Sequence, residues 1–238
     1  MKTELDVHTH TIVSGHAFSS LQEMAREAAD QGLKLLGITD HAPALPGSCG
    51  HIYFRNLHVV PRRMYGIELM LGAEINILDT FGNLDMDEFH LKKLDLRIAG
   101  IHSLCYQPGT AEENTRGMIA AISNPYMQMI SHPGDGTAKL IFEPIVLAAR
   151  EHHTLLEINN SSLKPIRHKV EARDNNLEIL RLCKRYEVPV ILGSDAHISF
   201  DIANYEYALE LIREVDFPEE MIMNTSVRKF KEYLSIPV

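Results

Sequence analysis

The chain has 238 residues, 45 % of them apolar and 23 % charged, and a formal net charge of −9, which suits one larger domain with a sizeable core. The acidic balance disfavours a nucleic-acid partner, because affinity for polyphosphates rests on Lys and Arg. No run is apolar over the ~20 residues that a bilayer crossing takes, and the cysteines Cys49, Cys105 and Cys183, odd in number and without close spacing, argue against a disulfide framework and a cysteine-type zinc site.

The first element is the run that ends DVHTH. Asp6, His8 and His10 occupy the place where a secretory leader would be hydrophobic, so a cytoplasmic chain without membrane contact is expected. In an extended strand, residues i and i+2 share a face, so His8 and His10 present two imidazoles within reach of one metal ion. The stretch SSLQEMAREAADQG follows, with Leu21, Met24, Ala25 and Ala28 on one helical face, Ser20 and Glu23 as a capping box and Gly32 as the stop. LKLLGITDH then reads as a buried strand. From Ala42 to Arg63, with Pro43, Pro46, Gly47 and Gly50, the chain reads as a long loop with a short helix in it.

Five further apolar runs, IELMLGAEI, LDLRIAGIH, MQMISH, TLLEIN and VPVILGSD, each end in polar residues and bring the predicted strands to seven. Helical patterns accompany them: AEENTRGMIAAIS, FEPIVLAAREHH, DNNLEILRLCKRY and NYEYALELIRE, the last with Tyr205, Ala208, Leu209 and Ile212 on one stripe. Strands that read as continuous apolar runs and alternate with helices predict an α/β architecture, a parallel sheet closed into a seven-stranded TIM-like (β/α) barrel, with residues 1–238 as a single domain.

Metal-type residues fall at the ends of these runs. His8 and His10 end the first strand, Asp40 and His41 the second, Glu74 the third, His102 the fourth, His132 the fifth, and Asp195 and His197 the seventh; the sixth ends in Asn159 and Asn160. In a parallel barrel all strand C-termini open on one face, so these residues converge on one bowl, which His16 reaches from the loop after the first strand. The remaining histidines, His51, His58, His90, His152, His153 and His168, lie on helices or in loops and are assigned to solvent or packing. A zinc site with an open position uses three protein ligands, so the nine residues His8, His10, His16, His41, Glu74, His102, His132, Asp195 and His197 suit three divalent ions with one bridging carboxylate. Imidazole with carboxylate points to zinc, manganese or iron rather than calcium or magnesium.

In the order DVHTH, ITDH, GAEIN, GIHS, ISHPGD and GSDAH, these motifs resemble those of the PHP family, named for polymerase and histidinol phosphatase, and LEINNSS with GSDAH resembles its single-domain bacterial phosphatase branch. The resemblance implies a distorted seven-stranded barrel with three metals at the C-terminal mouth. Carried over by motif, His8, His10 and Asp195 would hold one ion, His102 and His132 a second with Glu74 bridging the two, and His16, His41 and His197 the third.

Such a cluster makes hydroxide from water near neutral pH and neutralises phosphoryl oxygens. Three dications against Glu74 and Asp195 leave a local charge of about +4, which attracts phosphate despite the acidic chain. The expected function is metal-dependent hydrolysis of small phosphomonoesters by a metal-bridging hydroxide, with Glu74, Asp195 and His197 as catalytic residues. Asn159, Lys164 and Arg167 are the expected substrate contacts; Lys169, Arg55 and Arg62 are further basic candidates. Three other readings stay open. An amidohydrolase-like enzyme would need a bridging lysine where His102 stands; a PHP-type nuclease would need a basic groove that the sequence lacks; a metal-storage or sensing protein would have closed coordination. The sequence leaves a homo-oligomer open.

Overall fold

The computed structural model describes residues 1–236. In chain order the strands are β1 (Leu5–Asp6), β2 (Leu35–Ile38), β3 (Arg63–Met64), β4 (Ile67–Ile77), β5 (Leu96–Ile101), β6 (Met129–Ile130), β7 (Leu155–Asn159) and β8 (Val190–Gly193). The helices are α1 (Leu21–Asp30), α2 (His51–Asn56), α3 (Glu88–Leu91), α4 (Ala111–Ile122), α5 (Phe142–His152), α6 (Asn160–Leu163), α7 (Ala172–Tyr186), α8 (Glu206–Val215) and α9 (Val227–Tyr233).

Seven strands run parallel in the order β1-β2-β4-β5-β6-β7-β8, curled into the distorted barrel that the sequence predicts, with the helices outside. Between β8 and β1 the ladder is replaced. Thr9 bridges Ala196 at the upper end of the seam, and below it Ile222 bridges Val190. The Asn224 amide spans the remaining gap, donating to the carbonyls of Leu192 (2.8 Å) and Leu5 (3.2 Å). Backbone groups that a neighbouring strand would have satisfied are thus met by one side chain.

The core has two parts. Leu5, Leu35, Met70, Leu96, Ile98, Met129, Leu155 and Ile191 fill the barrel interior, plugged from below by Phe230 of α9. The other faces of the strands pack against the helices through residues such as Leu36, Leu71, Ile75, Leu156, Leu180 and Leu192. This is why the strands read as continuous apolar runs: both faces are buried.

Local signals explain most of the helices. Ser20 and Glu23 form the capping box of α1, Thr110 and Glu113 that of α4, and Gly32, at φ +81°, follows the C-cap Gln31. The 42–63 stretch does carry a short helix, α2. Three readings need correction. The first strand stops at Asp6, so His8 and His10 lie past its end and are held by the seam. On α8 it is Leu211, not Leu209, that is buried beside Ala208 and Ile212. An antiparallel hairpin, β3 on β4, turns at Tyr65 and Gly66, both at positive φ, and its Tyr-Gly dipeptide is not one of the strong hairpin signals.

Candidate metal centre

Inward-facing positions change character along the barrel axis. Met70, Ile98, Met129 and Ile191 are apolar at the bottom, Gly72, Gly100 and Gly193 follow, and Glu74, His102 and Asp195 stand at the top. All nine sequence-selected ligand residues gather there. His8, His10 and Glu74 are fully buried at the base, while His16, His41, His102, His132, Asp195 and His197 line a cavity of about 210 Å³.

Five of the seven imidazoles are aimed by a contact behind them. His8 Nδ1 donates to Glu157 Oε1 (2.7 Å), His10 Nδ1 to Ser14 Oγ (3.1 Å) and His16 Nδ1 to the Ser14 carbonyl (3.1 Å). His102 Nδ1 donates to Asn76 Oδ1 (2.8 Å) and His197 Nδ1 to the Asp195 carbonyl (3.0 Å). The acceptors are themselves fixed: Ser14 Oγ donates to Asp40 Oδ1 (2.7 Å) and Asn76 Nδ2 to Asp85 Oδ2 (2.6 Å). With the proton on Nδ1, the Nε2 of each of these five offers a lone pair to the interior.

The Nε2 atoms meet in couples. The Nε2 atoms of His8 and His10 are 3.1 Å apart, those of His102 and His132 3.2 Å, and those of His16 and His197 3.0 Å. In the couples His8 with His10 and His16 with His197 both nitrogens are bare, and two bare nitrogens cannot share a hydrogen bond, so those contacts are repulsive without a cation between them; His132 Nε2 instead faces the Glu74 carboxylate. Glu74 lies among the couples: its Oε1 is 2.8 Å from His132 Nε2, 3.3 Å from His102 Nε2 and 3.4 Å from His8 Nε2. Glu74 Oε2 and His41 Nδ1 are 2.8 Å apart, both buried and both without a hydrogen-bond partner. Asp195 Oδ1 is 3.3 Å from His10 Nε2 and 3.7 Å from His8 Nε2. Orphaned buried donors of imidazole and carboxylate type fit divalent transition ions.

The electrostatics of Glu74, Asp195 and His10 agree, while at His8 and His132 burial is outweighed by the surrounding carboxylates, which hold both imidazoles above their usual range. Burial would raise the Glu74 carboxyl, but the imidazoles of His102, His8 and His41 outweigh it and hold it well below the ordinary carboxylate range. Asp195 is likewise held low against burial, by His8, His10 and His197. Burial, with His41 and His197, keeps His10 neutral well below its usual range, as a ligand nitrogen requires. Two of the residues, His132 (φ +33°) and Asp195 (φ +51°), hold left-handed backbone, a cost on the order of 1–3 kcal/mol each that the surroundings must offset.

The expected substrate contacts divide. Arg167 lines the cavity, its Nη2 donating to Ser161 Oγ (2.9 Å), and it has no carboxylate partner among the described residues. Lys169 also lines the cavity, but pairs with Asp135. Lys164 is not in the lining; its Nζ is 2.7 Å from Asp201 Oδ2. Asn159 is fully buried beneath the surface, donating to Glu157 and Asp195. Arg62 pairs with Asp95 at the opposite end of the barrel, and Arg55 lies over Phe89. His51 and His58 are outside the lining too. Among the described residues no lysine stands with the clustered ligands, Lys169 being paired with Asp135, so the bridging lysine that an amidohydrolase would need is replaced by His102.

Glu157 is the residue that the sequence reading missed. It is fully buried, and besides His8 it accepts the His132 backbone N–H at Oε2 (2.6 Å). The signal was present in TLLEIN: Leu155, Glu157 and Asn159 share one strand face, so a carboxylate had to point into the barrel.

Comparison with known proteins bears on what the centre does. The model of the family described as PHP domain matches residues 6–232. A relative named "Probable phosphatase" from Caldicellulosiruptor saccharolyticus is 46 % identical over 99 % of this chain and 98 % of its own length. Another "Probable phosphatase", from Acetivibrio thermocellus, is 43 % identical over 98 % of this chain and 96 % of its own length. Among solved structures, the histidinol phosphate phosphatase of Lactococcus lactis, complexed with zinc, L-histidinol and phosphate, is similar in fold, with a TM-score of 0.59 at 19 % identity over 91 % of this chain and 95 % of that one. No helix of the described residues is long and apolar enough to cross a membrane.

Proposed function

The chain belongs to the PHP domain family and is a metal-dependent phosphatase, and on that premise we propose that it hydrolyses small phosphomonoesters at a cluster of three divalent ions, zinc ahead of manganese or iron. The observation that carries the proposal is the set of three Nε2 couples, His8 with His10, His102 with His132 and His16 with His197, arranged about Glu74. His8, His10 and Asp195 would hold one ion, His102 and His132 the second with Glu74 between them, and His16, His41 and His197 the third. Bound there, divalent ions lower the pKa of water towards neutrality and offset charge on phosphoryl oxygens.

The chain's own residues supply the rest. The Nδ1 contacts fix five of the seven imidazoles before substrate arrives, so little reorganisation is needed during reaction. Asp195, at the cavity surface with its carboxyl held ionised, supports a reading as the acceptor that orients the attacking water. His197, beside it at the mouth, completes the third ligand set. Arg167 is the unpaired cation of the cavity wall and suits a phosphate oxygen by a charge-assisted hydrogen bond. Leu45 and Ile101 are the buried apolar side chains of the lining. With Glu157 counted, three dications would leave about +3 locally rather than about +4.

A cavity of about 210 Å³ takes one phosphate with a modest leaving group, and a chain at −9 offers no continuous basic track for a strand. The test is a side-by-side comparison of kcat/KM at low salt for an aryl phosphate, a panel of phosphorylated metabolites and single-stranded DNA. Monoesters should lead by a wide margin; DNA ends outperforming every monoester would reverse the assignment in favour of a nuclease.

A further inference from the structure

We propose that Glu157 is a positioning residue of the metal centre, fixing the tautomer of His8 while it anchors the backbone of His132. The inference deepens the metal-centre reading above and rests on it. It starts from an acceptor count. Three groups converge on one buried carboxylate: the His8 Nδ1 atom on Oε1 at 2.7 Å, and two donors, the His132 N–H (2.6 Å) and Asn159 Nδ2 (3.1 Å), on Oε2. Asn159 cannot reverse its amide, because its Oδ1 accepts from the Ser162 N–H at 2.7 Å. The His132 N–H is backbone and cannot change role. A carboxylate that accepts at both oxygens satisfies all three when His8 carries its proton on Nδ1, the tautomer that leaves Nε2 free for an ion.

The space for this carboxylate is built into the neighbouring strand. A Cβ on Gly193 would lie 1.5 Å from Glu157 Oε1, so β8 presents a glycine where β7 sends its carboxylate inward. Glu157 therefore ties together two ligands, His8 and His132, that stand 124 positions apart in the chain and belong to different Nε2 couples.

Glu157→Gln discriminates, since it keeps the shape and removes one acceptor. The amide oxygen must face the two donors that cannot change, His132 N–H and Asn159 Nδ2. Its NH₂ then faces His8 Nδ1, which can respond only by moving its proton to Nε2. That tautomer has no lone pair for an ion. Competition with a chelator of known affinity should show the zinc affinity of the variant lowered about 10- to 100-fold at the ion held by His8. Because Glu157→Gln is buried and could fail to fold, the wild-type protein carries an independent measurement. Nitrogen NMR of zinc-loaded protein should show His8 protonated at Nδ1 and ligated through Nε2. A His8 ligated through Nδ1, or a folded Glu157→Gln protein with unchanged zinc affinity, overturns the proposal. Neither measurement contains a phosphoester, so a failure of the phosphatase assignment would be seen separately.

Discussion

The side-chain amide of Asn224 forms a two-point hydrogen bond with the backbone of Leu192, accepting from its N–H at 2.7 Å and donating to its carbonyl at 2.8 Å. It stands in for the strand edge that β8 lacks. Since the same Nδ2 also reaches the Leu5 carbonyl, the residue fastens β8 to β1 directly below the ligands His8 and Asp195. Asn224→Ala would strand buried backbone groups on both strands, at a cost of about 3 kcal/mol. For a chain of this size the Tm should fall by about 6–12 °C, measured on metal-free protein. A fall under about 2 °C would mean that the seam does not depend on this amide.

Ion removal should act on stability as well as on turnover. An ion present about a thousandfold above its dissociation constant adds about 4 kcal/mol to the fold, so chelation should lower the Tm by about 8–16 °C and stop hydrolysis, with both restored by zinc or manganese. Elemental analysis of loaded protein should approach three ions per chain. At most one ion after loading would sink the trinuclear assignment.

Glu74 touches imidazoles of all three groups, with Oε1 near His8, His102 and His132 and Oε2 near His10 and His41. Glu74→Gln nearly keeps its shape but loses the charge that would let two dications lie close together. At least one ion should be lost, with kcat down by orders of magnitude. Full metal content together with full turnover in this variant is the outcome that removes the bridging role.

Arg167 and Lys164 were equal candidates in the sequence and differ in the structure. Arg167→Ala removes an unpaired cation from the cavity wall and should raise KM for a small phosphomonoester about tenfold or more. Lys164→Ala breaks only a pair with Asp201, partly buried and away from the lining, and should change KM less than about twofold. Steady-state kinetics on the two variants decide; equal effects would contradict the division.

The barrel and the gathering of the candidate ligands were legible for one physical reason: ligand chemistry admits few residue types, and a parallel barrel delivers strand C-termini to one place. His102 and His132 could be selected without knowing a single contact. The supporting residues were not legible in that way, because their role depends on partners far along the chain. Glu157 reads as one charged residue in an apolar run until His8 and the His132 backbone are placed against it. Asn224 reads as a loop asparagine until β8 is seen to lack a neighbour. Helix α9 was missed because Phe230 plugs the barrel from below, a tertiary contact that a stripe of seven residues does not announce.

Gly193 offers the most direct test of how backbone and metal centre are coupled. Its own conformation is ordinary strand, so alanine brings no backbone strain; the only penalty is the contact that a Cβ would make, 1.5 Å from Glu157 Oε1 and 2.6 Å from its Cδ. Neither side has room to give. Glu157 is fully buried and tied to His8, the His132 N–H and Asn159, while Gly193 sits in register with Asn159 in the β7–β8 ladder. Gly193→Ala must therefore push the carboxylate off its donors or part the strands. Overpacking of this kind costs about 1–3 kcal/mol, and because the displaced group aims His8, the loss should extend beyond stability to ion binding. We expect the Gly193→Ala protein to retain fewer ions than wild type at equal zinc activity even at temperatures where circular dichroism shows it folded. If it instead binds zinc as wild type does and only its Tm is lowered, the glycine serves packing alone, and the link from β8 through Glu157 to His8 is not part of how the ions are held.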